Sequence, residues 1–190
     1  MTARWVVDGV QPEREIQITW QPISLYFKNE PDEGNPRFDW YKRSHNLLRV
    51  MESIRAEEGS KAVQDFYWEL GRRIHHDKNF MDFDLADVLD AIGVTSDHGS
   101  AFDNPLFDEE IRKRMNKGIA LAGEDIGTPI IAFDDHDGQR VGIFGPVITR
   151  VPKGEESVKL WDSVVTLTTT PGFWELKRTR TEKPEFGERP

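Results

Sequence analysis

The sequence predicts an α/β fold in which a small mixed core is interrupted by an all-helical insertion. Three observations predict it. Apolar residues recur at three- and four-residue spacing from Phe38 to Ile74, the period of helices with one buried face. Ile16, Ile18 and Trp20 alternate with Gln17 and Thr19, the period of a strand. Two short apolar runs flank Asp137-Gly138, a hairpin signal.

The elements follow in order. Residues 1–10 read as a helix with Met1 and Trp5 one turn apart, Val6 and Val7 widening the apolar face, and Gly9 ending it. No capping residue precedes this helix. A strand is expected over Glu15–Trp20 and as far as Pro22, followed by a loop from Asn29 to Pro36 that holds two Pro and one Gly. Phe38, Tyr41, His45, Leu48 and Met51 mark a helix over 37–58, which Gly59-Ser60 breaks. Val63, Phe66, Leu70 and Ile74 continue the pattern over 60–75. Asp84 caps a helix that Gly93 ends, and Asp108 opens another that Gly123 ends. Pro129–Phe133 and Arg140–Phe144 form the hairpin, and a final helix runs from Gly154 to Thr168. From Lys177 onward the chain is charged and reads as a mobile tail.

Composition excludes several classes. A length of 190 residues suits one domain, or one domain with a sizeable insertion. With six Trp and eleven Phe there is enough apolar bulk for a core, so a disordered chain is excluded. No apolar run reaches the length of a membrane span, and no secretory signal opens the chain, so a cytoplasmic location is expected. The absence of cysteine excludes disulfides, thiolate zinc sites and a cysteine nucleophile within these residues. Ten acidic residues and one lysine lie between Asp77 and Glu110, and this stretch carries the whole net charge of −9. An acidic surface repels phosphate backbones, so nucleic acid is not the expected partner. The acidic stretch itself reads as a solvated helical face.

Few residues suggest chemistry by type and spacing. Asp134, Asp135, His136 and Asp137 resemble metal ligands, but no register supplies the Gly and Glu of a calcium loop, and a polar hairpin turn accounts for them. Adjacent His75 and His76 point to different sides of a helix and make poor joint ligands. No phosphate-cradling loop, nucleophile elbow or His-Glu-x-x-His motif occurs. Gly127-Thr128-Pro129 stands out, because a proline opening an apolar strand cannot sit within a ladder.

The order of elements matches a thioredoxin-like core from its first helix onward, with helices inserted after the second strand. The first strand of such a core is the one piece without a counterpart. About three strands are then expected, with Glu15–Trp20 pairing beside the strand after Pro129 and with Pro129 cis. The motifs sharpen this. Gly123-Glu124-Asp125-Ile126-Gly127-Thr128-Pro129, Phe144-Gly145-Pro146-Val147, Pro152-Lys153-Gly154-Glu155-Glu156, Lys159-Leu160-Trp161-Asp162 and Glu175-Leu176-Lys177-Arg178-Thr179-Arg180-Thr181-Glu182 closely resemble the cytosolic DsbA-like family, in its mycothiol-dependent nitroreductase branch. Gly71-Arg72-Arg73-Ile74-His75 resembles that family's insertion helix, and Thr2-Ala3-Arg4-Trp5 the start of its first helix.

The resemblance implies a thioredoxin-like core over 1–34 and 106–176, a helical insertion over 35–105 and a tail over 177–190. It also implies a Cys-Pro-x-Cys or single-Cys turn at the first helix, where the helix N-terminus favours the thiolate. That turn and the first strand would lie before Met1, so a late start site is expected and no catalytic residue carries over. The supporting residues do. Gly127, Thr128 and Pro129 match the cis-proline loop, Phe144, Gly145 and Pro146 the strand end and turn beside the site, and Arg73 and His75 the insertion residues lining the pocket. The implied co-substrate is mycothiol, with no bound cofactor, and the implied partner is a small electrophile or a protein disulfide. An exposed strand edge would favour homo-oligomers. Three functions stay open: a thiol-disulfide oxidoreductase or nitroreductase inactive as written, a non-redox binding or remnant protein, and a thiol-conjugate isomerase of the kappa glutathione transferase type.

Overall fold

The computed structural model describes residues 1–190. The chain divides into two compact units, 1–18 with 117–187 and 19–116 with 188–190. The divisions fall at 18/19 and 116/117, where the sequence suggested 34/35 and 105/106. Side-chain bonds explain the difference. Ser24 and the first turn of the helix at Asp108 both bond to His45, in the middle of the long helix that follows.

The first unit has three layers. Its sheet is a two-stranded antiparallel hairpin, β1 (Ile130–Asp134) and β2 (Arg140–Phe144), with Ile131 opposite Ile143 and Ala132 opposite Gly142. Helix α1 (Thr2–Arg4) continues as an i→i+5 turn over Trp5–Val10. It and α7 (Glu155–Thr169) cover one face of the hairpin, where Trp5, Val10, Trp161 and Val164 are buried with Ile131 and Ile143 packed against them. The end of α6 (Asp108–Ala122) covers the other face. A methyl group on Gly142 would sit 2.9 Å from the Leu121 Cβ, so glycine is what lets α6 approach the strand.

Gly9 does not end the first helix, contrary to expectation. A Cβ there would collide with the Ser157 hydroxyl of α7. The same Ser157 accepts the buried Trp5 indole N–H, at 2.9 Å to its hydroxyl and 3.2 Å to its carbonyl. Gly9 is thus a site of close helix approach.

The expected strand over Glu15–Trp20 is absent, and so is its pairing with the strand after Pro129; the sheet has two strands, where about three were expected. The alternation itself is real, since residues 14, 16, 18 and 20 are half-buried and those between are exposed. Its buried side chains serve two different cores. Ile16 packs into the first unit's cluster and Trp20 into the second's. A period of two records alternate burial, and a strand also needs a ladder partner.

The second unit is helical: α2 (Leu25–Asn29), α3 (Phe38–Glu57), α4 (Gly59–Gly71, ending in an i→i+5 turn over Arg72–His76), α5 (Leu85–Ala91) and the start of α6. Its core holds Leu47, Val50, Ile54, Val63, Phe66, Val88 and Leu89. The expected caps form, with Asp84 accepting from the Ala86 N–H at 2.8 Å and Gly93 taking φ +73°. Residues 177–190 have no regular structure, yet they are held. The Glu185 N–H donates to the Thr149 carbonyl at 2.7 Å, and Arg4 to the Phe186 carbonyl at 3.3 Å. Arg189 pairs with both oxygens of Asp77. No helix is long and apolar enough to cross a membrane.

Candidate functional site

The six expected residues of the first unit gather at the open end of the hairpin. β1 starts immediately after Pro129, and β2 ends at Phe144 opposite Ile130. One further bond extends the ladder, from the Gly145 N–H to the Pro129 carbonyl at 2.8 Å. Gly145 has φ +102°, and a Cβ there would come within 3.3 Å of the Val147 nitrogen, so glycine fits this turn. The Thr128–Pro129 and Gly145–Pro146 peptide bonds are both cis. Gly127 lies beside the Phe144 ring, to which an added Cβ would approach within 3.9 Å.

Sequence reasoning missed Thr2 as a member of this cluster. Its hydroxyl donates to the Pro146 carbonyl at 2.7 Å, which ties the start of α1 to the second proline loop. No motif of spacing announces such a bond, because 144 residues separate the partners.

The chemistry available here is limited. None of Thr2, Gly127, Thr128, Pro129, Phe144, Gly145 or Pro146 ionises near neutral pH, and neither proline offers an N–H. Phe144 and Val147 leave apolar surface exposed beside the loops. The cluster can shape and bind, but any nucleophile or proton carrier must come from another group.

Arg73 and His75 belong to the second unit. Arg73 is engaged structurally, donating to Glu69 at 3.0 Å and to the Asp87 carbonyl at 3.2 Å, which holds α4 to α5. Burial lowers the His75 pKa.

The same unit holds a polar network that the sequence did not announce. His45 is 2% exposed. Its Nε2 lies 3.0 Å from Asp108 and its Nδ1 3.0 Å from the Ser24 hydroxyl. A carboxylate only accepts, so Nε2 carries the proton and Nδ1 accepts from Ser24. Ser24 in turn accepts the Phe27 N–H and caps α2. Burial pushes the Asp108 carboxyl up, but Arg49 at 2.6 and 2.7 Å, with His45, outweighs this and holds it below the usual carboxylate range. The order Ser-His-Asp resembles a catalytic triad, yet Ser24 is fully buried and occupied as a cap, so the network braces α2, α3 and α6.

In the hairpin turn Asp135, His136 and Asp137 bring ligand atoms within 4.8 Å of one another. One Asp135 oxygen already accepts the N–H groups of Asp137 and Gln139, as a polar turn requires.

Among known families, the model described as Rv2466c-like, mycothiol-dependent nitroreductase Rv2466c, matches residues 1–178.

Proposed function

Because the chain belongs to the Rv2466c-like family of mycothiol-dependent nitroreductases, we propose that its first unit is the proline-loop side of a DsbA-like thiol-redox site, within a thioredoxin-like core. The observation that carries this is the convergence of Thr2, Pro129, Gly145 and Pro146 at one end of the hairpin. In this reading the loops receive a small thiol such as mycothiol together with a small electrophile. Phe144 and Val147 provide the apolar contact.

The 190 residues contain no cysteine. Thiol-disulfide exchange needs an attacking sulfur, so the chain as written binds without turning over. The test is a mycothiol-dependent nitroreduction assay on the purified chain, run beside a binding titration followed by tryptophan fluorescence, since Trp5 and Trp161 pack against the hairpin. The expected result is saturable binding with turnover no higher than the blank. Turnover above the blank would overturn the inactive reading, and no binding of thiol or electrophile would overturn the site. Thiol-conjugate isomerisation is the second reading. An isomerase uses the thiol only as bound co-substrate, and a thiol-dependent isomer ratio would identify it.

A further inference from the structure

Two features of the first unit are complementary and are not used by the proposed site. One is an open groove along the outer face of α7, floored by Val158 and Leu167 and rimmed by Glu13, Glu155, Lys159 and the paired Arg14 and Asp162. The other is the segment after α7. A turn at Thr170–Phe173, with Pro171 and then Gly172 at φ +81°, ends the helix and is closed by a 3.2 Å bond. Beyond it Trp174 is 88% exposed and Leu176 77% exposed. These are the two most exposed large apolar side chains of the protein.

We propose that the chain self-associates, the Trp174–Leu176 segment of one copy seating in the α7 groove of the other. Trp174 remains exposed, so the groove is not filled by its own segment in a single molecule. Charge supports the pairing. With Arg14 and Asp162 satisfied by each other, Glu13 and Glu155 outnumber Lys159 on the rim, and the exposed stretch 174–180 carries Lys177, Arg178 and Arg180 against the single Glu175. A buried Trp is also the side chain most often dominant in interface energetics.

Sedimentation velocity on the 190-residue chain, from about 1 to about 200 μM, tests this. The expected result is a reversible monomer–dimer equilibrium. The double variant Trp174→Ala/Leu176→Ala should weaken it at least about tenfold while the melting transition monitored by circular dichroism stays in place, because both residues are exposed. Val158→Glu in the groove should weaken it similarly. The proposal is overturned by a monomer across the whole range. It is equally overturned by association that survives the Trp174→Ala/Leu176→Ala change, which would place the contact elsewhere, for instance at a strand edge. Neither result bears on thiol binding at the proline loops.

Discussion

The Thr2 hydroxyl is the one side-chain bond between the first helix and the proline loops, and it makes a direct test of how that cluster is held. Thr2→Val keeps the shape and leaves the Pro146 carbonyl without its donor. We expect a loss of about 1–2 kcal/mol in stability, restored by Thr2→Ser, measured by urea unfolding; an unchanged midpoint would show that the bond holds nothing. Gly9 is a sharper case, since any Cβ there strikes Ser157. Gly9→Ala should destabilise by about 1–3 kcal/mol, the usual scale of overpacking, although alanine is the better helix former. A stabilised variant would mean that α1 and α7 are not in this close contact. His45 gives the pH dependence. Burial lowers its pKa from 6.5, against the attraction of Asp108. The unfolded chain therefore takes up a proton at a pH where folded His45 resists it. The stability it contributes is fully present above about pH 6.5 and is lost as the pH falls toward the lowered folded value. The melting temperature should drop between pH 7 and pH 5, and His45→Phe should flatten that slope at a cost of about 1–3 kcal/mol at neutral pH. An identical slope in the variant would assign the titration elsewhere.

Elements were legible where the signal is local. Helices α3 to α6 each carry a buried face at helical spacing, and neighbouring residues mark some of their ends, such as Asp84 before α5 and Gly123 at φ +97° after α6. The hairpin was legible for the same reason, since Gly138 at φ +74° lies inside the turn it makes possible. Helix α2 was missed because only five residues form it. Its one cue is Ser24 as a cap, and that residue falls at the end of an alternating run which reads as strand. The strand error is the most instructive. Alternation specifies which side chains are buried, while a ladder depends on a neighbour that the alternating residues do not encode. No backbone hydrogen bond is made by the amides of residues 17–20. Hydrogen exchange should therefore be fast at 17–20 and slow at Ile131, Ile143 and their paired neighbours in β1 and β2. Protection at 17–20 comparable with that of the hairpin would restore the strand.

At the scale of the molecule, the family was legible in the sequence, and the compact units divide at 18/19 and 116/117. The motifs from Gly123 to Glu182 lie in contiguous runs, so a resemblance could be read from them, and the family match covers nearly the same chain. The dividing points depend instead on which core each half of α6 joins. Lys117 begins the part that packs on the hairpin, whereas Asp108, two turns earlier on the same helix, is held by His45 and Arg49. Heptad-like spacing runs through α6 without marking that change. The two cores that result differ in size. The helical unit buries eleven apolar side chains in one cluster, with Phe66, Ile54 and Val50 completely enclosed. The hairpin unit buries four, two of them tryptophans. Apolar burial is the main favourable term in folding, so the hairpin unit should give way first. Urea unfolding can be followed by two signals. Trp5 and Trp161, whose rings meet at 6.0 Å, report on the hairpin unit, while far-ultraviolet circular dichroism is dominated by the longer helices of the other. With Trp20, Trp40, Trp68 and Trp174 replaced by Phe to isolate the first signal, fluorescence should change at a lower urea concentration than ellipticity. Phe66→Ala should then shift the ellipticity midpoint, at a cost of about 3–5 kcal/mol, and leave the fluorescence midpoint in place. Coincident midpoints that move together would show a single cooperative transition and would remove the basis for ranking the two cores.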